Sequence, residues 1–475
     1  YNLEAHQKIE VRNPRNGKSD YSFQSINAPS LKKLCEDSKD RHTNFWSKTS
    51  IDDRIKILLK WKSELVLKKD DIVAALVQDT GRLIESKLEF DVMVQSIDRW
   101  CEEGKNLFND QTEKTSSIPF ISYKQDFLPF GLVGVISPWN FPLLLAHIDA
   151  IPALVAGSCV IIKPSEFAPR FVDPLIDSLK NISELEHVVN YIKGDGIAGA
   201  ELIENVDMLC FTGSVATGEK VASLAAKHFI PVSLELGGKD AAVVFNSANI
   251  ERASSALVWA SVVNSGQSCL SIERVYAQRE IHDELLNQIV DKAKKVSFCY
   301  PDIEKGDIGP IISPNQSEII INHINDAVQK GATLHCGGSL ENHGGGDWVA
   351  PTVLSHVTHD MLVMKEETFG PVIPVMGFDS IEDALHLMND TKYGLSGSVF
   401  GSVDIAENVA KQMQAGAISI NDAGLTAMLR DGEKQSFKKS GIGETRMGRS
   451  SMLRFLRKKA LYFNHNEDSD PWWFN

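Results

Sequence analysis

Several things are scarce in this 475-residue chain, and each shortage removes a class of function. Positive charge is outweighed: 49 Lys and Arg stand against 63 Asp and Glu, a formal net charge of −14. Nucleic acid is therefore excluded as the main partner, because binding a phosphate backbone needs a basic face. No Cys-x-x-Cys pair occurs. The seven cysteines (Cys35, Cys101, Cys159, Cys210, Cys269, Cys299 and Cys336) are odd in number and widely spaced. That pattern fits neither a disulfide framework nor a zinc ribbon, and it suggests a reducing compartment. The thirteen histidines form no His-x-x-x-His or His-Glu-x-x-His group, so no metal site is expected. No apolar run is long enough to span a bilayer; the best, 151–162, is short and broken by Gly157. No apolar signal segment is seen, and a cytoplasmic location is the expectation.

What is present is the composition of a globular protein with ample core, 43% hydrophobic and 24% charged. Ser50 and Asp53 form a capping-box pattern that opens an amphipathic helix to about Lys69, and a second helix is expected over 84–105. From Gly131 onward short apolar runs (132–136, 158–162, 187–192, 208–211 and 231–234) alternate with helical stretches (142–155, 169–180 and 217–228). This alternation predicts a parallel sheet with helices on its faces. A second α/β cycle runs from Ala241 to Asn421. The glycine-rich loop 337–347 reads as a mobile surface excursion. The basic stretch Arg454–Lys459 and the ending Trp472-Trp473-Phe474 read as a tail that packs.

Three polar residues stand out. Cys269 ends the run Asn264-Ser265-Gly266-Gln267-Ser268-Cys269. Glu235 lies in Leu234-Glu235-Leu236-Gly237-Gly238-Lys239, and Asn140 in Pro138-Trp139-Asn140-Phe141-Pro142. A thiol, a carboxylate and an amide set among glycines and prolines offer a nucleophile, a base and an oxyanion donor for covalent chemistry on a carbonyl.

With these go Lys163-Pro164-Ser165-Glu166, Phe211-Thr212-Gly213-Ser214, Glu366-Glu367-Thr368-Phe369-Gly370-Pro371 and Tyr393-Gly394-Leu395-Ser396. In this order and spacing the chain, from about Pro14 to about Lys459, resembles the aldehyde dehydrogenase superfamily. The nearest branches are non-acylating ones acting on aromatic aldehydes or semialdehydes. The resemblance implies an α/β fold: a Rossmann-like cofactor domain (1–113 and 130–236), a catalytic α/β domain (237–451), and a β-ribbon with the C-terminal tail (114–129 and 452–475) that mediates homodimer or homotetramer assembly. It implies that Cys269 attacks an aldehyde to give a thiohemiacetal and then a thioester. Asn140 and the Cys269 N–H would hold the oxyanion, and Glu235 would activate the hydrolytic water. The implied cofactor is NAD, with NADP as the alternative, because a carboxylate at Glu166 suits a free ribose 2′-hydroxyl. Lys163 and Glu166 would hold the adenine ribose and Gly213 and Ser214 the pyrophosphate, at the start of a helix near Thr217. Glu367 and Phe369 would position the nicotinamide end, and Trp139, Ser165, Gly196, Thr212 and Leu236 would line the same groove.

Two departures from the family pattern are visible. A lysine common nine residues after the oxyanion asparagine is Asp149 here, and its glutamate partner has no clean counterpart in 440–445. Glu433-Lys434-Gln435-Ser436 stands where Pro-Phe-Gly-Gly is common. Lys434, with Arg430 nearby, reads as a solvated rim, the alternative being a contact for an anionic group on the substrate. The aligned inner tunnel (Phe141, Leu144, Leu145, Ile148, Leu270 and Leu425) is apolar, which favours an aromatic or medium-to-long aliphatic aldehyde. A semialdehyde dehydrogenase, or a retired structural protein, are the competing readings.

Overall fold

The computed structural model describes residues 7–108 and 112–474. Two large sheets carry the molecule. The first has six strands in the order Gly441–Ile442, Val232–Glu235, Met208–Thr212, Leu132–Ile136, Cys159–Lys163, Val189–Tyr191. All are parallel except Gly441–Ile442, which runs antiparallel to Val232–Glu235. Strand order reverses between Leu132–Ile136 and Met208–Thr212, and at such a switch point an open α/β sheet leaves a crevice at its carboxyl ends. The second sheet has seven strands, with Asp240–Val244 between Ile272–Gln278 and Ser396–Phe400. Its two faces bury separate cores, with Ala241 and Val243 on one side and Ala242 and Val244 on the other.

The join between the sheets places the site. Val232–Glu235 leaves the first sheet, and only Leu236–Lys239 intervene before Asp240–Val244 enters the second. The carboxyl ends of the first sheet therefore face the amino ends of the second. The loops holding Cys269, Glu367 and Gly394 all lie at those amino ends, just before Ile272–Gln278, Val372–Phe378 and Ser396–Phe400.

A third sheet pairs Leu456–Asn464 with Ile121–Pro129 in nine-residue antiparallel register, with Lys114–Thr115 on the far side. Its strands lie within the segments 114–129 and 452–475. Trp472 of the tail stacks on Phe120 at 5.8 Å between ring centres. No helix among the described residues is long and apolar enough to cross a membrane.

The helix capped by Ser50 spans Ile51–Leu67, and the second expected helix spans Ile84–Phe108. Helices Ala28–Asn44, Lys69–Thr80, Gly196–Asn205 and Pro314–Gln329 were not foreseen. The loop 337–347 is corrected: much of it forms the hairpin Leu340–His343/Gly346–Val349. Its turn glycines, Gly344 and Gly345, take φ of +65° and +98° and press against the backbone of Arg15 and Asn16. Trp348 is fully buried and packs on Phe298, ring centres 5.2 Å apart. The glycines mark close approach, not mobility. Gly345→Ala, whose Cβ would overlap the Asn16 carbonyl, is expected to cost about 1–3 kcal/mol. A lowered urea-unfolding midpoint checks this, and an unchanged midpoint would contradict the docking.

Candidate active site

Cys269 follows three consecutive left-handed residues: Asn264 at φ 55°, Ser265 at 55° and Gly266 at 70°. Gly266 is pressed so closely on Gly370 and Pro371 that any Cβ would overlap their backbone. Neighbours hold the strained turn. Ser265 Oγ donates to Gly309 O at 2.6 Å, and Asn264 Nδ2 donates to Gln267 O at 2.9 Å. Gln267 is itself fixed, donating to Pro310 O and accepting from Ile312 N. Asn140 Nδ2 donates to the same Gln267 carbonyl at 3.0 Å, so the predicted oxyanion donor is tied to the Cys269 loop. Asn140 stands just before the helix Pro142–Ala156, whose first free N–H groups, at Leu143 and Leu144, donate to Glu89 Oε2 at 2.9 and 3.0 Å. Arg82 pairs with the other oxygen of that buried carboxylate.

Half-buried Cys269 shares a cavity of about 250 Å³ with Asn140, Trp139, Thr212, Gly213, Ser214, Leu236, Glu367 and Phe369. The Trp139 and Phe369 rings meet edge to face at 5.5 Å. An adjoining groove of about 570 Å³ takes in Trp139, Lys163, Ser165, Glu166, Gly196 and Thr212–Ser214. All the predicted cofactor residues thus fall in one of two contiguous spaces. The helix over this groove spans Val215–Lys227 and is N-capped by Ser214, two residues earlier than expected. Its free N–H groups suit a pyrophosphate. A Cβ added to Gly196 would meet nothing within 4 Å, so the glycine keeps groove space open. Buried Lys163 and partly exposed Glu166 stand 3.9 Å apart on the groove wall. These features fit a dinucleotide.

Glu235 behaves differently. It is 8% exposed and lines neither space. Its Oε2 accepts from Ser436 Oγ at 2.9 Å and stands 4.0 Å from Lys434 Nζ. The solvated-rim reading of Lys434 is therefore overturned. Its side chain is only 9% exposed, because the segment around it folds inward over Gly394 and Gly416. Arg430 instead donates to the nearby carbonyls of Ala427 and Leu429.

Burial pushes the Cys269 thiol up to about 12, with Glu367 the next contributor, so the resting group is a thiol. Burial also raises Glu367, beside Glu273, to about 8, while Gly238 N donates to it at 3.0 Å. Glu273 accepts from Thr368 N and Phe369 N at 2.7 and 2.8 Å and pairs with Lys239. His147 is a packed helix residue, as expected. It bonds Leu143 O and Tyr191 Oη, and burial lowers it to about 4.

Asp149 pairs with Arg446 and Arg454, each at 2.6 Å, and Arg446 also donates to Thr212 Oγ1. Where the family pattern has a lysine paired with an acid, this chain has an acid paired with arginines. The sequence could hint at this only through Asp149. Ser436, Gln316, Ile319 and Glu273 were also missed; the unusual 433–436 segment was the one available signal for Ser436, and the other three had none.

This architecture, with a cysteine and an amide sharing one cavity beside a groove at a switch point, defines an α/β protein whose site fits a dinucleotide. Residues 1–461 match the model of the Aldehyde dehydrogenase family, and the chain belongs to that family. It is an oxidoreductase acting on aldehydes with a nicotinamide dinucleotide, NAD(P). The structure is similar to PutA of Anabaena variabilis, assigned as an aldehyde dehydrogenase, with TM-score 0.97 and 51% identity over 99% of this chain and 100% of that one. A 4,4'-diapolycopene aldehyde oxidase of Methylomonas sp is 34% identical over 90% of this chain and 81% of its own length. Betaine aldehyde dehydrogenase of Staphylococcus aureus, solved with NAD+, gives TM-score 0.89 at 26% identity over 98% of this chain and 94% of that one.

Burial alone would raise Asp149, but the Coulomb field of Arg446 and then Arg454 outweighs it and holds the carboxyl below its ordinary range. A depressed carboxylate contributes stability above its unfolded pKa and loses it as pH falls through its folded one. Asp149→Asn, which leaves two buried guanidiniums uncompensated, should cost about 3–5 kcal/mol at neutral pH. Urea unfolding should show that deficit narrowing toward acid pH; a deficit independent of pH would contradict the pairing.

Proposed function

We propose that this enzyme oxidises an apolar aldehyde, aromatic or medium-to-long aliphatic, to its carboxylic acid with NAD. The observation that carries the reading is the shared cavity of Cys269, Asn140, Glu367 and Phe369, open to the groove of Lys163 and Glu166. Cys269 Sγ, once ionised, attacks the carbonyl carbon. Asn140 Nδ2 has a second hydrogen beyond the one given to Gln267 O, and with the Cys269 N–H it can hold the oxyanion. A dinucleotide held in this groove would supply hydride acceptance, and Cys269 would then carry the acyl group as a thioester. Glu235 then takes a proton from water as that water attacks the thioester. This requires its carboxylate to turn from Ser436 toward the cavity. Glu166 on the groove wall supports NAD over NADP, since a carboxylate accepts from a 2′-hydroxyl and repels a 2′-phosphate.

The substrate class rests on one helix. Pro142–Ala156 buries Leu143, Ala146, His147 and Ala150, while Leu144, Leu145 and Ile148 stay partly open. With Phe141 these form an apolar stripe at helical spacing, and Leu145 reaches the Cys269 cavity. Each methylene buried there gains about 0.8 kcal/mol. We also propose assembly through the ribbon, whose strand Leu456–Asn464 leaves Leu461 and Tyr462 exposed.

Hexanal, benzaldehyde and succinic semialdehyde at matched concentrations test the substrate reading by NADH formation. The first two should lead, and a tenfold preference for the semialdehyde would overturn the choice. Cys269→Ala should lower kcat/KM by at least about a thousandfold. Asn140→Ala should cost about 2.7–4 kcal/mol in the barrier, read in kcat. Retained activity in either variant would remove that residue from its role.

A further inference from the structure

Cys269 is ringed by acids. Glu367, Asp240 and Glu235 all disfavour its ionised form, and Lys434 is the cation set against them. Lys239, the other nearby lysine, is committed to Glu273 and Thr368 Oγ1. Lys434 comes from a strap, residues 433–440, fastened at both ends. Lys434 N donates to Thr445 Oγ1 at 3.0 Å. Ser440 Oγ donates to Gly237 O at 2.7 Å and accepts from Gly394 N at 2.9 Å, while Leu236 N donates to its carbonyl at 2.8 Å. The Gly237-Gly238 loop lies directly against the Cys269 carbonyl, so the strap is built onto the Cys269 loop.

Among the described residues the ammonium makes one distant ion pair: Ser436 Oγ holds Glu235 Oε2 at 2.9 Å, and Lys434 Nζ approaches that oxygen only to 4.0 Å. A little-solvated ammonium with three donors and no close acceptor is a charge available to an anion formed beside it. We propose, building on the nucleophile role given to Cys269 above, that Lys434 is a positioning residue whose ammonium is the counter-charge shared by the Cys269 thiolate and the Glu235 carboxylate. On ionisation the Sγ proton passes to solvent and the negative charge stays on sulfur beside Lys434. No carbon bond forms and no cofactor takes part.

Iodoacetamide alkylation of the cofactor-free enzyme tests this, followed between about pH 6 and pH 10 by mass spectrometry of the peptide carrying Cys269, for the native chain, Lys434→Met, Lys434→Gln and Lys434→Arg. The neutral variants should be alkylated about tenfold more slowly near pH 8, with the rise displaced to higher pH, and Lys434→Arg should restore most of the rate. Either neutral variant suffices if the other does not fold. Superimposable profiles would overturn the proposal. So would neutral variants that lose only succinic semialdehyde turnover, which would make Lys434 a recognition group. Because no aldehyde is present, a wrong substrate class leaves the result intact. A native Cys269 inert throughout would instead sink the nucleophile reading itself.

Discussion

Everything in the site depends on the contact between two loops, where Gly266 lies against the backbone of Gly370 and Pro371. No side chain fits there, and the turn that makes the contact holds two non-glycine residues, Asn264 and Ser265, in the left-handed region. Each such residue costs about 1–3 kcal/mol unless its surroundings over-determine it. They do here, through Gly309, Gln267 and Pro310. The same contact brings the Cys269 loop beside the loop of Glu367 and Phe369, and Glu273 fastens the second loop through two backbone N–H bonds. Glu273 sits four residues after Cys269 on the strand that follows it. Cys269 and the cavity wall of Glu367 and Phe369 are thereby built from one strand and its neighbour.

Charge is arranged around that frame in two tiers. Deep under the first sheet, Asp149, Arg446 and Arg454 form a closed cluster reaching Thr212, a residue of the groove wall paired in register with Glu235. A guanidinium stays charged at every working pH, so the cluster can hold geometry but cannot pass a proton. Nearer the cavity, Glu235 is held by Ser436 and faced by Lys434, both from the strap. Glu235 therefore rests against a surface segment, and any movement it makes toward Cys269 exchanges the Ser436 hydrogen bond for the cavity.

Much of this was legible in the sequence because it is carried by short local patterns. Strands such as Leu132–Ile136 and Val372–Phe378 are apolar runs bounded by glycine or proline, and they fall where the pattern placed them. The groove residues came as motifs in fixed order, and the fold gathers them. Long-range packing was not legible. Loop 337–347 read as mobile because its glycines signal a turn, whereas the surface they press on, Arg15 and Asn16, is some three hundred residues away in the chain. Lys434 read as solvated because its neighbours are charged, and only the tertiary strap buries it. Arg446 carried no signal, since the partner that explains it lies in a helix about three hundred residues earlier in the chain.

The central claim is a covalent bond between the Cys269 sulfur and the substrate carbon. Its most direct test is a mass measurement on Glu235→Gln, incubated with NAD and hexanal, quenched in acid and digested. The peptide carrying Cys269 should gain the mass of a hexanoyl group, held as a thioester that hydroxylamine removes. An unmodified Cys269 peptide under conditions where NADH is still formed would contradict the account.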